Sequence, residues 1–182
     1  MKALTRRQFL RLTGAVAAGA ALLGPGCTGQ SAGGRQPATP TGDQAYLAVA
    51  RGGDPAAITK AAIAALGGIE RFVRSGDDVI VKPNICVDYH PPEYAATTNP
   101  TVVATLVTLC LGAEARRVRV MDTPFGGTSE SAYAVSGIDA AVRLAGGEME
   151  VMSPVKCEEI DIAEGQDITA WEVDRDVGEA DV

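Results

Sequence analysis

The pattern of apolar and polar positions predicts repeated strand–helix units from residue 45 onward. Short apolar runs at 45–50, 78–84, 116–122 and 149–153 have the length of buried strands. Between these runs, apolar residues recur at the spacing of one face of a helix. Strands that alternate with helices indicate a parallel sheet with right-handed crossovers.

Start signals support the two longer helices. Asp54-Pro55 and Asn99-Pro100 each place a capping side chain before a proline at the first helical position. Glycines follow the apolar helical runs and provide stops. A Gly- and Ser-containing loop follows the third strand, and the pattern after this loop predicts one or two short helices before the fourth strand.

These elements predict the α/β class, as an open, mostly parallel, Rossmann-like sheet with helices on both faces. The nearly continuous apolar runs at 79–81 and 118–121 are typical of strands covered on both faces. After residue 157 the pattern weakens, and 168–173 is one further candidate strand. The last residues, DVGEADV, have the pattern of the start of another strand. We therefore expect a sheet that is incomplete at the C-terminus and a sequence that is a fragment of a longer protein.

Charge is distributed unevenly along the 182 residues, whose net charge is −7. Residues 1–27 carry four basic residues and no acid, whereas 157–182 carry ten acids and only Arg175. We expect the acidic segment to be solvated. An acidic chain with only 4% aromatic residues and no basic patch argues against a nucleic-acid partner.

Residues 1–27 have the features of an export signal, namely a basic start followed by a short apolar stretch. The apolar stretch, Leu12 to Leu23, is too short to span a bilayer as a helix. The sequence TRRQFLR, with Arg6 and Arg7, resembles the twin-arginine motif. That resemblance implies the twin-arginine translocase as a partner and export of the folded chain.

Cys27, in LLGPGC, resembles the lipidated cysteine of bacterial lipoproteins, although Gly24 and Pro25 depart from the usual pattern. Lipidation, cleavage with release, and an uncleaved anchor are the three alternatives. Residues 28–44 are rich in Gly, Pro, Ser and Thr and predict a flexible linker to a single domain at 45–182. A lipid anchor with a linker predicts a location in the cell envelope, on the periplasmic or extracellular face of the membrane.

Polar residues follow the predicted strands, and the carboxyl ends of parallel strands form the usual ligand-binding edge. Lys82 could hold an anionic ligand by point charge or be a surface lysine. Asp122 could be a general base, a metal ligand or a loop cap. The candidate set is Asp122 and His90 for catalysis, and Lys82, Asn84, Thr97, Thr98, Asn99, Thr123, Gly126 and Gly127 for ligand binding.

The sequence is compatible with several alternatives for metal binding and for the cysteines. His90 is the chain's one histidine, so no triad or multi-histidine site can be built, although a divalent metal with other ligands is possible. The loop at 123–131 is either a weak anion-binding signal or an ordinary turn. Cys86 and Cys157 follow predicted strands and could form a disulfide, share a metal or stay free, whereas Cys110 belongs on an apolar helix face.

Three pieces of the sequence together are typical of one family, namely VIVKPN at 79–84, TTNP at 97–100 and RVRVMDTP at 117–124. In these pieces the sequence resembles the domain of unknown function 362 family. Some members of that family carry iron–sulfur modules, which implies a redox association. This chain contains no Cys-x-x-Cys, so an iron–sulfur cluster would lie in a missing C-terminal part.

Two functions follow as hypotheses. The first is an exported redox or iron–sulfur-associated enzyme that binds an anionic ligand or a metal at the strand ends. The second is a lipid-tethered, non-catalytic envelope protein that binds a solute or a partner.

Overall fold

A three-stranded parallel sheet forms the centre of the domain in the computed structural model, which describes residues 45–182. The predictions for the export signal, Cys27 and the linker lie outside the described residues. The strands are adjacent in chain order: β1 (Asp78–Val81), β2 (Arg117–Asp122) and β3 (Glu148–Val151). The predicted α/β class and parallel sheet are confirmed.

Five α-helices accompany the sheet in the described part of the chain. Asp54 and Asn99 cap the first two through their side chains, as the sequence predicts. None of the helices within 45–182 is long and apolar enough to cross a bilayer. The helices are α1 (Pro55–Ala65), α2 (Pro100–Gly112), α3 (Ser129–Ser136), α4 (Ile138–Leu144) and α5 (Arg175–Glu179), with 3₁₀ turns at Ile69–Arg71, Pro92–Tyr94 and Pro154–Lys156.

The apolar core lies on one face of the sheet, which we call the core face. α2 contacts β1 and β2 there, and α4 contacts β3. Consecutive strands joined by right-handed crossovers place their helices on the same side, which explains this arrangement. Buried core residues include Val79, Val118, Val120, Val107 and Val142.

The opposite face of the sheet, which we call the charged face, carries ionisable side chains in alternate positions. Arg119 is only 3% exposed, and its guanidinium contacts both carboxylate oxygens of Asp78 at 2.9–3.0 Å. It also lies 3.4 Å from Glu150 and 3.5 Å from Asp176 of α5. Helices therefore lie on both faces, and β2 is buried along 118–122, as expected for a strand covered on both faces. On the charged face, part of this covering consists of ion pairs.

The first predicted strand is also wrong, because residues 45–50 form no regular structure. Tyr46, Leu47 and Val49 are at least 70% exposed. An apolar run needs a neighbouring strand to become part of a sheet, and none pairs with it in the described residues. The sequence signal for this strand was composition alone.

The acidic segment forms an antiparallel hairpin of β4 (Cys157–Asp161) and β5 (Ala170–Asp174). β5 confirms the candidate strand at 168–173, whereas β4 was not predicted. The last residues lie beside β1: Asp181 donates its backbone N–H to Asp78 at 3.0 Å, and Ile80 donates to the Val182 carbonyl at 2.8 Å. The expected start of a strand in DVGEADV is wrong, because 176–179 lie in α5 and 180–182 form no strand, although the last two residues hydrogen-bond to β1.

Candidate functional site

Lys82 and Asp122 meet at the carboxyl edge of the sheet, just after β1 and at the end of β2. The Lys82 Nζ lies 2.7 Å from Oδ1 of Asp122. The other carboxylate oxygen accepts the backbone N–H of Ile85 at 2.6 Å. The lysine side chain is 57% exposed and the aspartate side chain only 8%. A buried carboxylate thus pairs with a lysine whose side chain remains partly exposed to solvent.

Tyr133 of α3 holds the end of β2 in place. Its hydroxyl accepts the backbone N–H of Asp122 at 3.1 Å and lies 2.5 Å from the Asp122 carbonyl and 3.0 Å from that of Glu150. Burial raises the pKa of the Tyr133 phenol, and the charge of Asp122 adds to this, so the hydroxyl keeps its proton at neutral pH. The sequence analysis did not identify Tyr133, although tyrosine is scarce in this chain and 133 falls within a predicted short helix.

The residues at 97–99 fold back on the end of β1. The Asn84 backbone N–H donates to the Thr98 hydroxyl at 3.0 Å, and the Thr98 N–H donates to the Asn84 carbonyl at 2.8 Å. The Asn99 side chain caps α2, which gives it a structural task. The Thr97 hydroxyl is buried and has no hydrogen-bond partner among the described residues. Because Thr97 pairs with Ile85, this unpaired hydroxyl belongs to the same strand-end region as Asp122.

Gly126 and Gly127 allow two loops to approach each other. Gly126 pairs with Val87 in a parallel bridge. Gly127 has a φ of +83°, and a Cβ there would lie 2.0 Å from the carboxyl carbon of Asp88. A carboxylate already faces this glycine, which disfavours the anion-binding interpretation of the loop. Thr123 is exposed.

His90 lies between two tyrosines and is not joined to the Lys82–Asp122 pair. Its ring stacks on Tyr94 at a centroid distance of 4.5 Å and meets the Tyr89 ring edge-on at 4.8 Å. Both tyrosines are more than 60% exposed. In the described structure none of the contacts of His90 is with Asp122, so the two candidate catalytic residues are not brought together.

The cysteines of the described domain are free thiols in three different environments. Cys110 is buried in the core, and burial raises its pKa. Cys157 is exposed and Cys86 is half-buried, so the disulfide considered between them is not formed. Within 45–182, no group of three or more His, Cys, Asp or Glu side chains is arranged to hold a metal ion. These residues therefore do not fit an iron–sulfur cluster.

Comparison with known proteins places the chain in a family without assigning an activity. Residues 79–182, more than half of the sequence, match the family model described as "Domain of unknown function (DUF362)". No curated protein and no solved structure matches the chain. The matched range begins in β1 and includes both Lys82 and Asp122. The protein belongs to the domain of unknown function 362 family.

Proposed function

We propose that the domain binds a small anionic ligand at the carboxyl edge of its sheet, with the Lys82 ammonium as the anchoring charge. The observation that carries this proposal is the ammonium group held 2.7 Å from the buried Asp122 carboxylate while the lysine side chain remains 57% exposed. An ammonium has three N–H donors. Asp122 takes one, and the Pro83 carbonyl lies at 3.5 Å, so donor capacity remains for a ligand.

Asp122 serves this site best as a positioning residue. Both of its oxygens already accept hydrogen bonds, one from Lys82 and one from the Ile85 backbone. Its side chain is only 8% exposed, so little of the carboxylate is accessible to a substrate proton. The buried, unpaired Thr97 hydroxyl supplies a further polar group in the same region. These contacts support ligand binding more directly than catalysis.

A titration of the full chain with acetate, followed by backbone amide NMR at constant ionic strength, tests the proposal. We expect saturable shifts for the amides of Ile85 and Asp122. Lys82→Met should weaken acetate binding at least about tenfold, because the anchoring charge is lost. Lys60→Met, an exposed position on α1, is the matched control and should bind acetate as the wild type does. Equal affinities of Lys82→Met and wild type would refute the proposal.

The contacts at Lys82 support a binding function more directly than acid–base catalysis, and they do not bear on the redox hypothesis. The described thiols do not fit an iron–sulfur cluster. Acid–base catalysis by Asp122 with His90 would need the two residues to meet, and they do not contact each other within the described region. The iron–sulfur association stays a prediction from the family resemblance.

We further propose export by the twin-arginine translocase and attachment to the membrane through a lipid on Cys27. The Arg6-Arg7 motif, the short apolar stretch and the position of Cys27 before a linker support this. Mass spectrometry of the mature N-terminus should find an acylated Cys27 as the first residue. Cys27→Ser should then fractionate away from membranes. An unmodified Cys27 thiol on the exported wild type would contradict lipidation.

A further inference from the structure

A cavity of about 200 Å³ lies on the charged face of the sheet, against Lys82. It occupies the carboxyl-end part of that face, beyond the ion pairs of Arg119. Among the residues that line it, Lys82 has the one charged side chain. Apolar residues form the rest of the lining, namely Ile80, Met121, Met152, Val177, Ala180 and Val182.

The wall of the cavity opposite the sheet is fixed at both ends. At one end, Asp176 of α5 pairs with Lys156 at 2.6 Å and with the buried Arg119 at 3.5 Å. At the other end, the Val182 carbonyl accepts the backbone N–H of Ile80 at 2.8 Å. These contacts hold Val177 and its neighbours over the sheet. The cavity is therefore part of the folded arrangement of α5 and β1.

An apolar lining offers water few hydrogen bonds, so an apolar group gains by occupying the space. Met121 and Met152 are flexible and polarisable, and they can adapt to chains of different shape. An apolar cavity of about 150 Å³ holds a benzene molecule, so this cavity has room for roughly six to eight carbon atoms. Lys82 lines the cavity, and its ammonium group pairs with Asp122. A ligand whose hydrocarbon chain occupies the cavity can therefore place a negatively charged head group beside that ammonium.

We propose that the cavity takes the aliphatic chain of a small monocarboxylate whose head group binds the Lys82 ammonium. This inference rests on the proposed anion site and adds the class of ligand. The charge complementarity selects a carboxylate head, and the apolar lining selects an unbranched or branched hydrocarbon chain. Acetate would bind only the Lys82 ammonium, whereas hexanoate would bind the ammonium and also fill the cavity with its chain.

The first test compares acetate, hexanoate and hexanol on the full chain. Hexanoate has four more methylenes than acetate, and one fully buried methylene tightens binding by about fourfold. Burial of only two of them would give about sixteenfold, so hexanoate should bind at least about tenfold more tightly than acetate. Hexanol carries the same chain without the charge and should also bind at least about tenfold more weakly than hexanoate. Lys82→Met should remove the advantage of hexanoate over hexanol.

Methionine methyl NMR locates the chain of the ligand. Hexanoate should shift the methyl signals of Met121 and Met152, which line the cavity. Met149 packs against the core on the opposite face and is the internal control. Acetate should leave all three methyl signals nearly unchanged. Shifts of Met149 equal to those of Met121 would overturn the inference.

A filling substitution supplies a second, independent test. Ala180→Phe should fill the cavity and reduce hexanoate affinity to that of acetate, without weakening acetate. Ala134→Phe, at an exposed position of α3, is the matched control and should leave hexanoate binding unchanged. Circular dichroism would verify that each variant folds. If Ala180→Phe does not fold, the wild-type methyl shifts still decide the question.

The possible failures separate the two proposals. Equal binding of acetate and hexanoate with unshifted Met121 and Met152 would overturn the cavity inference and leave the anion site standing. Hexanol that binds as tightly as hexanoate would overturn the role of Lys82 in both. Failure of every anion to bind would overturn both proposals.

Discussion

The Lys82–Asp122 pair explains why β1 is followed by polar residues. Asp122 can be buried because its carboxylate accepts from two donors, the Lys82 ammonium and the Ile85 backbone N–H. A buried carboxylate with fewer partners would be costly. Tyr133 in turn fixes the backbone of Asp122, so the ammonium position depends on β2, α3 and the chain after β1 together.

Replacing Asp122 by asparagine tests this explanation. An amide presents one acceptor, and its other end is a donor that would face either Lys82 or Ile85. We expect the free energy of unfolding, measured with urea, to fall by about 1–3 kcal/mol. Asp139→Asn is the control, because Asp139 forms an exposed pair with Arg143 and should cost less than about 0.5 kcal/mol. Equal, small losses in both variants would contradict the assigned role of Asp122.

At the residue scale, the sequence was informative where a strand end meets polar residues. The fold rule placed Lys82 and Asp122 at one edge, and they form an ion pair there. It could not show which oxygens were already engaged, or that His90 would stack on Tyr94. Such contacts depend on loop conformation, which local sequence does not determine.

At the scale of elements, β4 and α5 were the hardest to predict. β4 is exposed along its whole length, so its sequence shows no buried face. α5 is only five residues long and gives no helical periodicity. By contrast, α1 and α2 were predictable, because each has a capping side chain, a proline at the first position and an apolar face.

The attachment of α5 should depend on pH in a defined window. The hydrogen bond from Lys156 lowers the pKa of Asp176, with Arg119 and Arg175 adding to the effect. The stability from this shift is present above the unfolded pKa of about 4 and is lost as the pH falls through the lower folded value. The same hydrogen bond raises the pKa of Lys156. The stability that comes from this second shift is lost only as the pH rises above about 10.

We therefore expect Asp176→Asn to destabilise the protein at pH 7 and to differ less from wild type at pH 3, which lies below the unfolded pKa of about 4. Urea unfolding of both proteins at the two pH values measures this. Glu179→Gln is the control on the same helix, since Glu179 lies 3.9 Å from Arg175 in an exposed pair. An Asp176→Asn effect that is equally large at pH 3 would contradict the ion-pair explanation.

At the scale of the whole domain, the two faces of the sheet make different kinds of contact. The core face packs against α2 and α4, whereas the charged face pairs with the acidic segment through Arg119. The expectation that the acidic segment is simply solvated is wrong in part, because Asp174 is 3% exposed and Asp176 forms two ion pairs. The alternating arginines of RRVRVMD were the available signal for a charged face.

The central claim is that Lys82 anchors a small anion at the carboxyl edge. A high-resolution crystal structure of the chain grown with acetate tests this most directly. The account predicts an acetate carboxylate about 2.7–3.0 Å from Nζ of Lys82, with the ion pair to Asp122 retained. Acetate bound only at other basic residues, with the ammonium of Lys82 accessible but vacant, would contradict it.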